Sequence, residues 1–358
     1  MSAPNSILIV RLGAMGDILH AMPALFMLRG FFPDAQFGWI VESRWSELLR
    51  SSPDAKPRSE AQPLVDFVHL VDTRKWRKNL LARENRKAMT AALREVREMK
   101  YDAAVDFQGA IKSAAVTKLS GAPKRYGFAD PWEKPAQLLY TSKFYVAATH
   151  VVERNQELAV AAAQQLGSNL VERALFTELL PRPNVENAKI LLDRLRLRSS
   201  FAILNPGAGW GAKQWPTDRY AEVARALGKE GVRSLVNFGP GEESLAKVVE
   251  EQSEGFAIAA QFSISELIAV TRHAALFIGG DTGPLHLAAA LKIPVVALFG
   301  PTDPARTGPY GTRSIVLRDP ASVTSHKRNR ETEAGLKNIT AEQVIAAARQ
   351  LLNQKEGA

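Results

Sequence analysis

The chain has 358 residues, about two domains if one domain takes ~150 residues. Apolar and aromatic residues make up 46% and charged residues 23%, ordinary globular usage that excludes a disordered chain. With 46 Lys+Arg against 37 Asp+Glu, the net charge of +9 directs attention to an anionic partner: nucleic acid, a membrane surface or a phosphorylated substrate. There are no cysteines, which excludes disulfide frameworks, thiolate metal sites and cysteine nucleophiles.

The first six residues carry no basic segment leading into a long apolar run, so no signal peptide is expected. Apolar stretches such as Leu287 to Leu291 and Pro294 to Phe299 are split by Lys292 and fall well short of the ~20 residues of a membrane span. Any membrane contact is therefore expected to be peripheral.

In chain order, Ile7 to Val10 reads as a buried strand, followed by the loop Arg11 to Asp17 and an apolar helix to about Leu28. Phe37 to Val41, Val65 to Leu70 and Tyr101 to Asp106 read as further strands, with a densely basic helix over Arg83 to Met99. Pro181 and Pro183 mark a linker before the helical pattern Val185 to Leu197. The pattern then restarts with strand Phe201 to Leu204, the loop Asn205 to Trp215, and a helix whose Tyr220, Val223 and Leu227 share a face. Ser234 to Phe238, Leu276 to Ile278 and Val295 to Phe299 are strand-like. Thr340 and Gln343 suit a capping box for a last helix with Val344, Ile345, Ala348 and Leu351 on its apolar stripe. The pattern predicts an α/β chain of two Rossmann-like halves, each opening with a strand that runs into a glycine-containing loop.

Three loops suit ligand chemistry. In Arg11-Leu12-Gly13-Ala14-Met15-Gly16-Asp17, glycines let backbone approach a ligand and a helix N-terminus follows, but the spacing departs from G-x-G-x-x-G. Asp17 there is either a helix N-cap or a carboxylate placed at the ligand-binding edge of a parallel sheet. In the second loop, the small residues from Asn205 to Gly211 lead to Lys213 and the helix-starting Pro216, suiting a diphosphate held by amides and one ammonium; a solvated loop lysine is the alternative. The third places Gly279-Gly280-Asp281-Thr282-Gly283 between a strand and a helix. Amides at Thr282 and Gly283 suit phosphate oxygens and Asp281 suits sugar hydroxyls, against the alternative that Asp281 and Thr282 only cap the helix.

A fourth feature is the charge between His69 and Lys100, where ten Lys/Arg meet four acids, so that +6 of the +9 sits in one segment. Within it Arg74, Lys75, Arg77 and Lys78 surround Trp76, a composition suited to a substrate with phosphates, carboxylates and apolar parts, or to a solvated helix face. No nucleic-acid-binding motif accompanies the charge, and no nucleic-acid partner is expected.

These residues together resemble the ADP-heptose:lipopolysaccharide heptosyltransferases, heptosyltransferase I most closely. The resemblance is carried by Met15-Gly16-Asp17 with Leu19-His20 and Pro23-Ala24-Leu25, and by the Arg74-Lys75-Trp76-Arg77-Lys78 run. It continues through Asp106-Phe107-Gln108-Gly109 with Lys112-Ser113-Ala114, Lys213-Gln214-Trp215-Pro216, Asp281-Thr282-Gly283 with His286, and Gly300-Pro301-Thr302-Asp303-Pro304. It implies a GT-B fold: two facing Rossmann-like domains with a cleft between them, and a C-terminal helix returning to the first. The domains are then 1–180 with 340–358 for the acceptor, and 181–339 for the nucleotide-sugar donor.

The resemblance also implies an inverting transfer of L-glycero-D-manno-heptose from ADP-heptose to the inner Kdo of Kdo2-lipid A, an anionic lipid-linked saccharide. It makes Asp17 the general base and Lys213 the cation at the diphosphate. Thr282, Gly283 and His286 become phosphate contacts, Asp281 a heptose contact and Glu242 a ribose contact. Arg74, Lys75, Arg77, Lys78 and Gln108 become acceptor contacts. Where heptosyltransferase I tends to carry hydroxyl side chains, this chain has Ala208 and Gly209, so phosphate binding there falls to backbone N–H; Pro284 likewise removes one donor. No metal and no cofactor are expected, because a lysine and helix N-termini can neutralise the leaving group. The expected location is cytoplasmic, peripheral on the inner membrane. Heptosyltransferase II, or another sugar-nucleotide transferase of the same fold, shares the donor logic. A sugar-nucleotide epimerase needs no basic acceptor surface, and a Rossmann oxidoreductase is disfavoured by the incomplete glycine fingerprint.

Overall fold

The computed structural model describes residues 3–79, 82–169, 178–183, 185–197, 200–325, 327 and 329–354; the side chains of 77 and 185–187 lie outside the described set. The chain divides into two units, Met1–Arg182 and Pro183–Ala358, at the Pro-rich segment that reads as a linker.

The first unit is built on six parallel strands: β1 (Ser6–Val10), β2 (Gln36–Glu42), β3 (Phe67–Val71), β4 (Ala103–Asp106), β5 (Lys124–Phe128) and β6 (Ser142–Phe144). Their order across the sheet is β3-β2-β1-β4-β5-β6. Continuous apolar runs suit strands covered on both faces, as in parallel sheets, and Ile7, Leu8, Ile9 and Val10 are all fully buried. Leu8 and Val10 join Ile40, Ala104, Trp76, Val96 and Val116 in one core cluster. Helix Met15–Phe31 is apolar on most of its surface and packs against helix Val151–Gln165.

The second unit repeats the arrangement with β7 (Phe201–Asn205), β8 (Arg233–Phe238), β9 (Ala257–Gln261), β10 (Leu276–Gly280), β11 (Val295–Phe299) and β12 (Ser314–Arg318). Its order, β12-β11-β10-β7-β8-β9, is the same winding when strands are counted from the first of each unit. Alternate residues of β7 serve the two faces: Ala202 and Leu204 meet Tyr220, Val223 and Leu227, while Phe201 and Ile203 meet Val270, Leu285 and Ala288.

The order 3-2-1-4-5-6 is the doubly wound Rossmann order, in which connections leave the first and fourth strands in opposite directions and open a crevice at their carboxyl ends. In the first unit that crevice lies between the loops after β1 and β4, and in the second between those after β7 and β10.

The last helix departs from expectation. Residues 340–358 were expected to join the first unit, but helix Ala341–Asn353 packs Val344, Ala347, Ala348 and Leu351 against Leu276, Ile278, Val296 and Leu298 of the second. The apolar stripe matches the face of β10 and β11 that helix Thr217–Lys229 leaves partly open. Residues 355–358 lie outside the described residues. No helix among the described residues is long and apolar enough to cross a membrane.

Candidate functional site

The two crevices hold different chemistry and are built from different loops. In the first unit, Asp17 sits in the opening turn of helix Met15–Phe31. The N-cap position belongs to Ala14, and Asp17 reaches back to it from the third helical residue, accepting the Ala14 N–H at 2.9 Å through Oδ2. Its other oxygen, Oδ1, pairs with Arg11 Nη2 at 2.7 Å, and the side chain stays 44% exposed. Asp17 is therefore a carboxylate fixed at both oxygens with one side toward solvent.

Arg11 is itself buried and donates through Nη1 to Phe107 O at 2.5 Å, while Leu12 N donates to Gln108 Oε1 at 3.0 Å. The Asp17 loop is thus bolted to the loop after β4. That second loop is held in turn by Asp106, whose Oδ1 accepts Gln108 N at 2.8 Å and Gly109 N at 3.3 Å, and whose Oδ2 accepts the hydroxyls of Ser113 and Tyr140, each at 2.8 Å. Complete burial pushes the Asp106 carboxyl up, against the opposing effect of these four donors. Arg11 and Asp106 are assigned no role by the sequence. Asp106 does end a strand seven residues before Ser113, but its Tyr140 partner is visible only in the folded chain.

The basic run divides. Arg74, Lys75 and Lys78 are exposed on the short helix Thr73–Lys78, whereas the Arg77 side chain lies outside the described residues. Trp76, which composition suggests as a substrate surface among the cations, is 8% exposed and packed with Leu8, Val10 and Val96. Its indole anchors the helix and leaves the flanking cations outward.

In the second unit, Gly280 ends β10 at a place where a Cβ would stand 2.9 Å from the carbonyl oxygen of Lys213. Without that Cβ the Lys213 backbone passes close enough for Nζ to pair with Asp281 Oδ2 at 2.7 Å and to donate to Asp281 O at 3.1 Å. Asp281 Oδ1 meets His286 Nε2 at 3.0 Å. Burial alone would raise the Asp281 carboxyl, but the hydrogen bond and charge of His286 and the charge and hydrogen bond of Lys213 outweigh it and hold the group below the ordinary carboxylate range. Lys213 is neither free nor fully solvated: its side chain is 14% exposed, and its ammonium lies 5.4 Å from the Trp210 ring centroid.

Thr282 occupies the N-cap position of helix Gly283–Ala290 without making the side-chain capping bond, and its Oγ1 is buried with no hydrogen-bond partner. Since Asp281 is engaged by Lys213 and His286 instead, neither residue performs the simple capping that their sequence context also allows. A buried hydroxyl without a partner costs about 1–3 kcal/mol, and it stands at a helix N-terminus that favours anions.

Asn205, at the end of β7, donates to Gly207 O at 2.9 Å and receives Asn237 Nδ2 at 2.6 Å. Glu242 precedes helix Glu243–Gln252 and accepts Gly239 N at 2.8 Å. Its carboxylate lies over Gly207, where a Cβ would come within 2.0 Å of Oε2. Ala208 is buried and Gly209 has open space beside it. Ala208, Gly209, Lys213, Glu242, Asp281, Thr282, Gly283 and His286 therefore belong to one unit, around the carboxyl ends of β7, β8 and β10. Asp17, Gln108, Arg74, Lys75 and Lys78 belong to the other.

Comparison with known proteins agrees with this architecture. Residues 89–337 match the model of glycosyltransferase family 9 (heptosyltransferase). Lipopolysaccharide heptosyltransferase 1 of Salmonella typhimurium is 31% identical over 319 residues, covering 88% of this chain and 94% of that protein. The Escherichia coli K12 protein of the same name is 32% identical over 325 residues, covering 88% and 93%. A solved Escherichia coli heptosyltransferase, WaaC with ADP, superposes with a TM-score of 0.77 at 27% identity, covering 97% of this chain and 99% of that one. The fold is of the GT-B class. With a family model spanning well over half of it and relatives above 30% identity along most of its length, the chain belongs to glycosyltransferase family 9, the heptosyltransferases.

Proposed function

We propose that this enzyme transfers a heptosyl group from ADP-heptose to an anionic saccharide of the lipopolysaccharide core, with inversion at the anomeric carbon and the inner Kdo of Kdo2-lipid A as acceptor. The observation that carries the reading is the Lys213–Asp281–His286 array beside the unpartnered Thr282 hydroxyl at a helix N-terminus. An ammonium offers three N–H donors. Two of those on Lys213 are directed at Asp281, which leaves the third for a phosphate oxygen at a fixed position. The similarity to lipopolysaccharide heptosyltransferase 1, and the ADP in the WaaC structure, support the same donor.

In the proposed step an acceptor hydroxyl attacks the anomeric carbon. Its proton passes to Asp17, the new C–O bond forms, and the electron pair of the breaking bond leaves on ADP. Positive charge grows on the sugar and negative charge on the diphosphate. Lys213, the Thr282 hydroxyl and the amides of Thr282 and Gly283 oppose that negative charge from preorganised positions, so little reorganisation is required as it develops. Asp281, steadied by His286, holds Lys213; Asp281 faces the heptose and His286 the phosphate, Glu242 binds ribose, and backbone N–H groups at Ala208 and Gly209 complete the phosphate contacts. A single base suffices for such a displacement, unlike the paired carboxylates of glycoside hydrolysis.

Arg74, Lys75, Arg77 and Lys78 contact the anionic acceptor, and Gln108 holds the Asp17 loop beside it. The same cations favour attachment to the anionic cytoplasmic leaflet of the inner membrane, at roughly 1 kcal/mol per cation near the surface. The test is to incubate purified protein with ADP-heptose and a panel of truncated core acceptors. Heptose appearing on the Kdo-terminated acceptor, with stoichiometric ADP release, is the expected result. Transfer only to an acceptor that already carries heptose, or use of a different nucleotide sugar, would overturn the assignment.

A further inference from the structure

The loop after β2 carries a cation that neither the motifs nor the proposed mechanism uses. β2 lies between β1 and β3, so the three carboxyl ends adjoin, with Val10 level with Ile40 and Glu42 level with Val71. Beyond the strands the loops are stitched together. Glu42 N donates to Leu12 O at 3.0 Å in the Asp17 loop, Ser43 Oγ lies 3.5 Å from Val71 O, and the Thr73 hydroxyl donates to the Glu42 carboxylate. Arg44 follows Ser43 and Arg74 follows Thr73, so this stitching sets the two arginines on adjoining loops, near enough for the charge of Arg74 to act on Arg44.

Arg44 is stacked on Trp45, its guanidinium carbon 4.5 Å from the ring centroid, a contact that restricts a side chain otherwise free to wander. The same indole reaches the Asp17 loop: a Cβ on Gly13 would stand 2.9 Å from Trp45 Nε1, and that nitrogen is buried with no hydrogen-bond partner. Trp45 therefore links Arg44 to the loop that carries Asp17. Both arginines are exposed, and among the described residues neither is seen in an ion pair with a carboxylate. Two neighbouring guanidiniums repel one another, and the nearby Glu42 carboxylate offsets that repulsion only in part. The Arg44 guanidinium is lowered from its usual pKa, first by partial burial and then by the charge of Arg74, with Glu42 acting the other way.

We propose that Arg44 and Arg74 form a two-guanidinium subsite for one oxyanion of the acceptor, a carboxylate or a phosphate, and so set which anionic saccharide is presented to Asp17. The proposal rests on the transferase reading above and adds to it a specificity-determining residue outside the basic run. A planar guanidinium pair offers several N–H donors in fork geometry and matches either oxyanion. Bringing the anion between them relieves the repulsion that the folded chain otherwise maintains.

The experiment uses the full chain, ADP-heptose and deacylated core acceptor, before and after enzymatic removal of the acceptor phosphates. Arg44→Gln is expected to raise the acceptor KM about tenfold and to weaken its dependence on salt, while the donor KM and the kcat at saturating acceptor stay within twofold of wild type. Arg44→Lys, which keeps the charge but loses the fork, should fall between. A KM difference that persists on dephosphorylated acceptor assigns the subsite to carboxylate; one that vanishes assigns it to phosphate. If wild type transfers heptose and both variants keep its acceptor KM, the Arg44 subsite is wrong and the transferase reading stands. If wild type transfers nothing to either acceptor, the transferase reading itself falls.

Discussion

Replacing Gly207 by alanine tests whether Glu242 serves the donor, through a methyl group whose nearest neighbours are all atoms of the Glu242 carboxylate. The added Cβ would lie 2.0 Å from Glu242 Oε2 and 2.2 Å from Cδ. Ordinary contact begins at 3.4 Å, so the carboxylate must retreat by about 1.4 Å. The backbone at Gly207 lies outside the left-handed region, so alanine adds no conformational strain of its own and the displacement of Glu242 is isolated. Retreat breaks the 2.8 Å bond from Gly239 N and removes the carboxylate from its position near the ends of β7 and β8. A hydrogen bond to a charged group is worth about 1.5–3 kcal/mol, and tenfold in affinity corresponds to about 1.4 kcal/mol. Donor KM is therefore expected to rise about 10- to 100-fold in steady-state assays with ADP-heptose, with acceptor KM unchanged. Glu242→Gln should produce a smaller rise in the same direction. Gly209→Ala, whose Cβ meets nothing within 4 Å, should leave the melting temperature unchanged and serves as the folding control. An unaltered donor KM in a folded Gly207→Ala enzyme would refute the role of Glu242.

Asp17→Asn keeps an oxygen for the Ala14 N–H, so the enzyme should remain folded while transfer falls about 100-fold; a melting transition that collapses with no specific catalytic defect would return Asp17 to a purely structural role. Lys213→Ala should lower kcat by about 100-fold or more, and it should also destabilise the second unit by roughly 3 kcal/mol, because Asp281 is left buried without its cation; chemical denaturation alongside kinetics separates the two. Asp106 has its pKa raised by burial, so its stabilising contribution is complete below the ordinary carboxylate range and declines as pH rises toward the raised value. The melting-temperature advantage of wild type over Asp106→Asn should accordingly shrink with increasing pH, and an advantage that grows would contradict the buried placement. Transfer should survive EDTA, since Lys213 and the helix N-terminus supply the neutralising charge; loss on chelation with recovery on added Mg²⁺ would show a metal requirement.

Much of the architecture is legible in the residues. Ile7 to Val10, Phe201 to Leu204 and Val295 to Phe299 are unbroken apolar runs, which only strands covered on both faces can bury, and they are strands here. The Thr340 and Gln343 capping box forms as its local pattern requires, because capping depends on neighbours three residues apart. The weaker strands β6, β9 and β12 escape such reading. They lie at sheet edges, where one side is open and most of their side chains are half-buried or exposed, so no fully buried apolar run marks them. The start of β3 is also displaced: Val65 reads as strand, yet pairing begins at Phe67, after Asp66 has been drawn into contacts with Arg29, Arg58 and the Phe37 amide.

The amino-acid sequence by itself determined the α/β class, the two-unit plan and the loops that flank each crevice, since these follow from local periodicity and from glycine, proline and capping chemistry. Tertiary structure alone decided what each charged or aromatic side chain meets. Trp76 stands among cations in sequence but is turned into the core, because a six-residue helix must bury some face and the indole is its largest apolar group. Arg11 becomes the partner of Asp17 and a tie to Phe107 only when β1 and β4 lie side by side. Lys213 finds Asp281 across 68 residues of chain because β7 and β10 are neighbours and Gly280 admits its backbone. The last helix has a stripe that its pattern foretells, but only the apolar face of β10 and β11, which that stripe buries, determines which unit it covers.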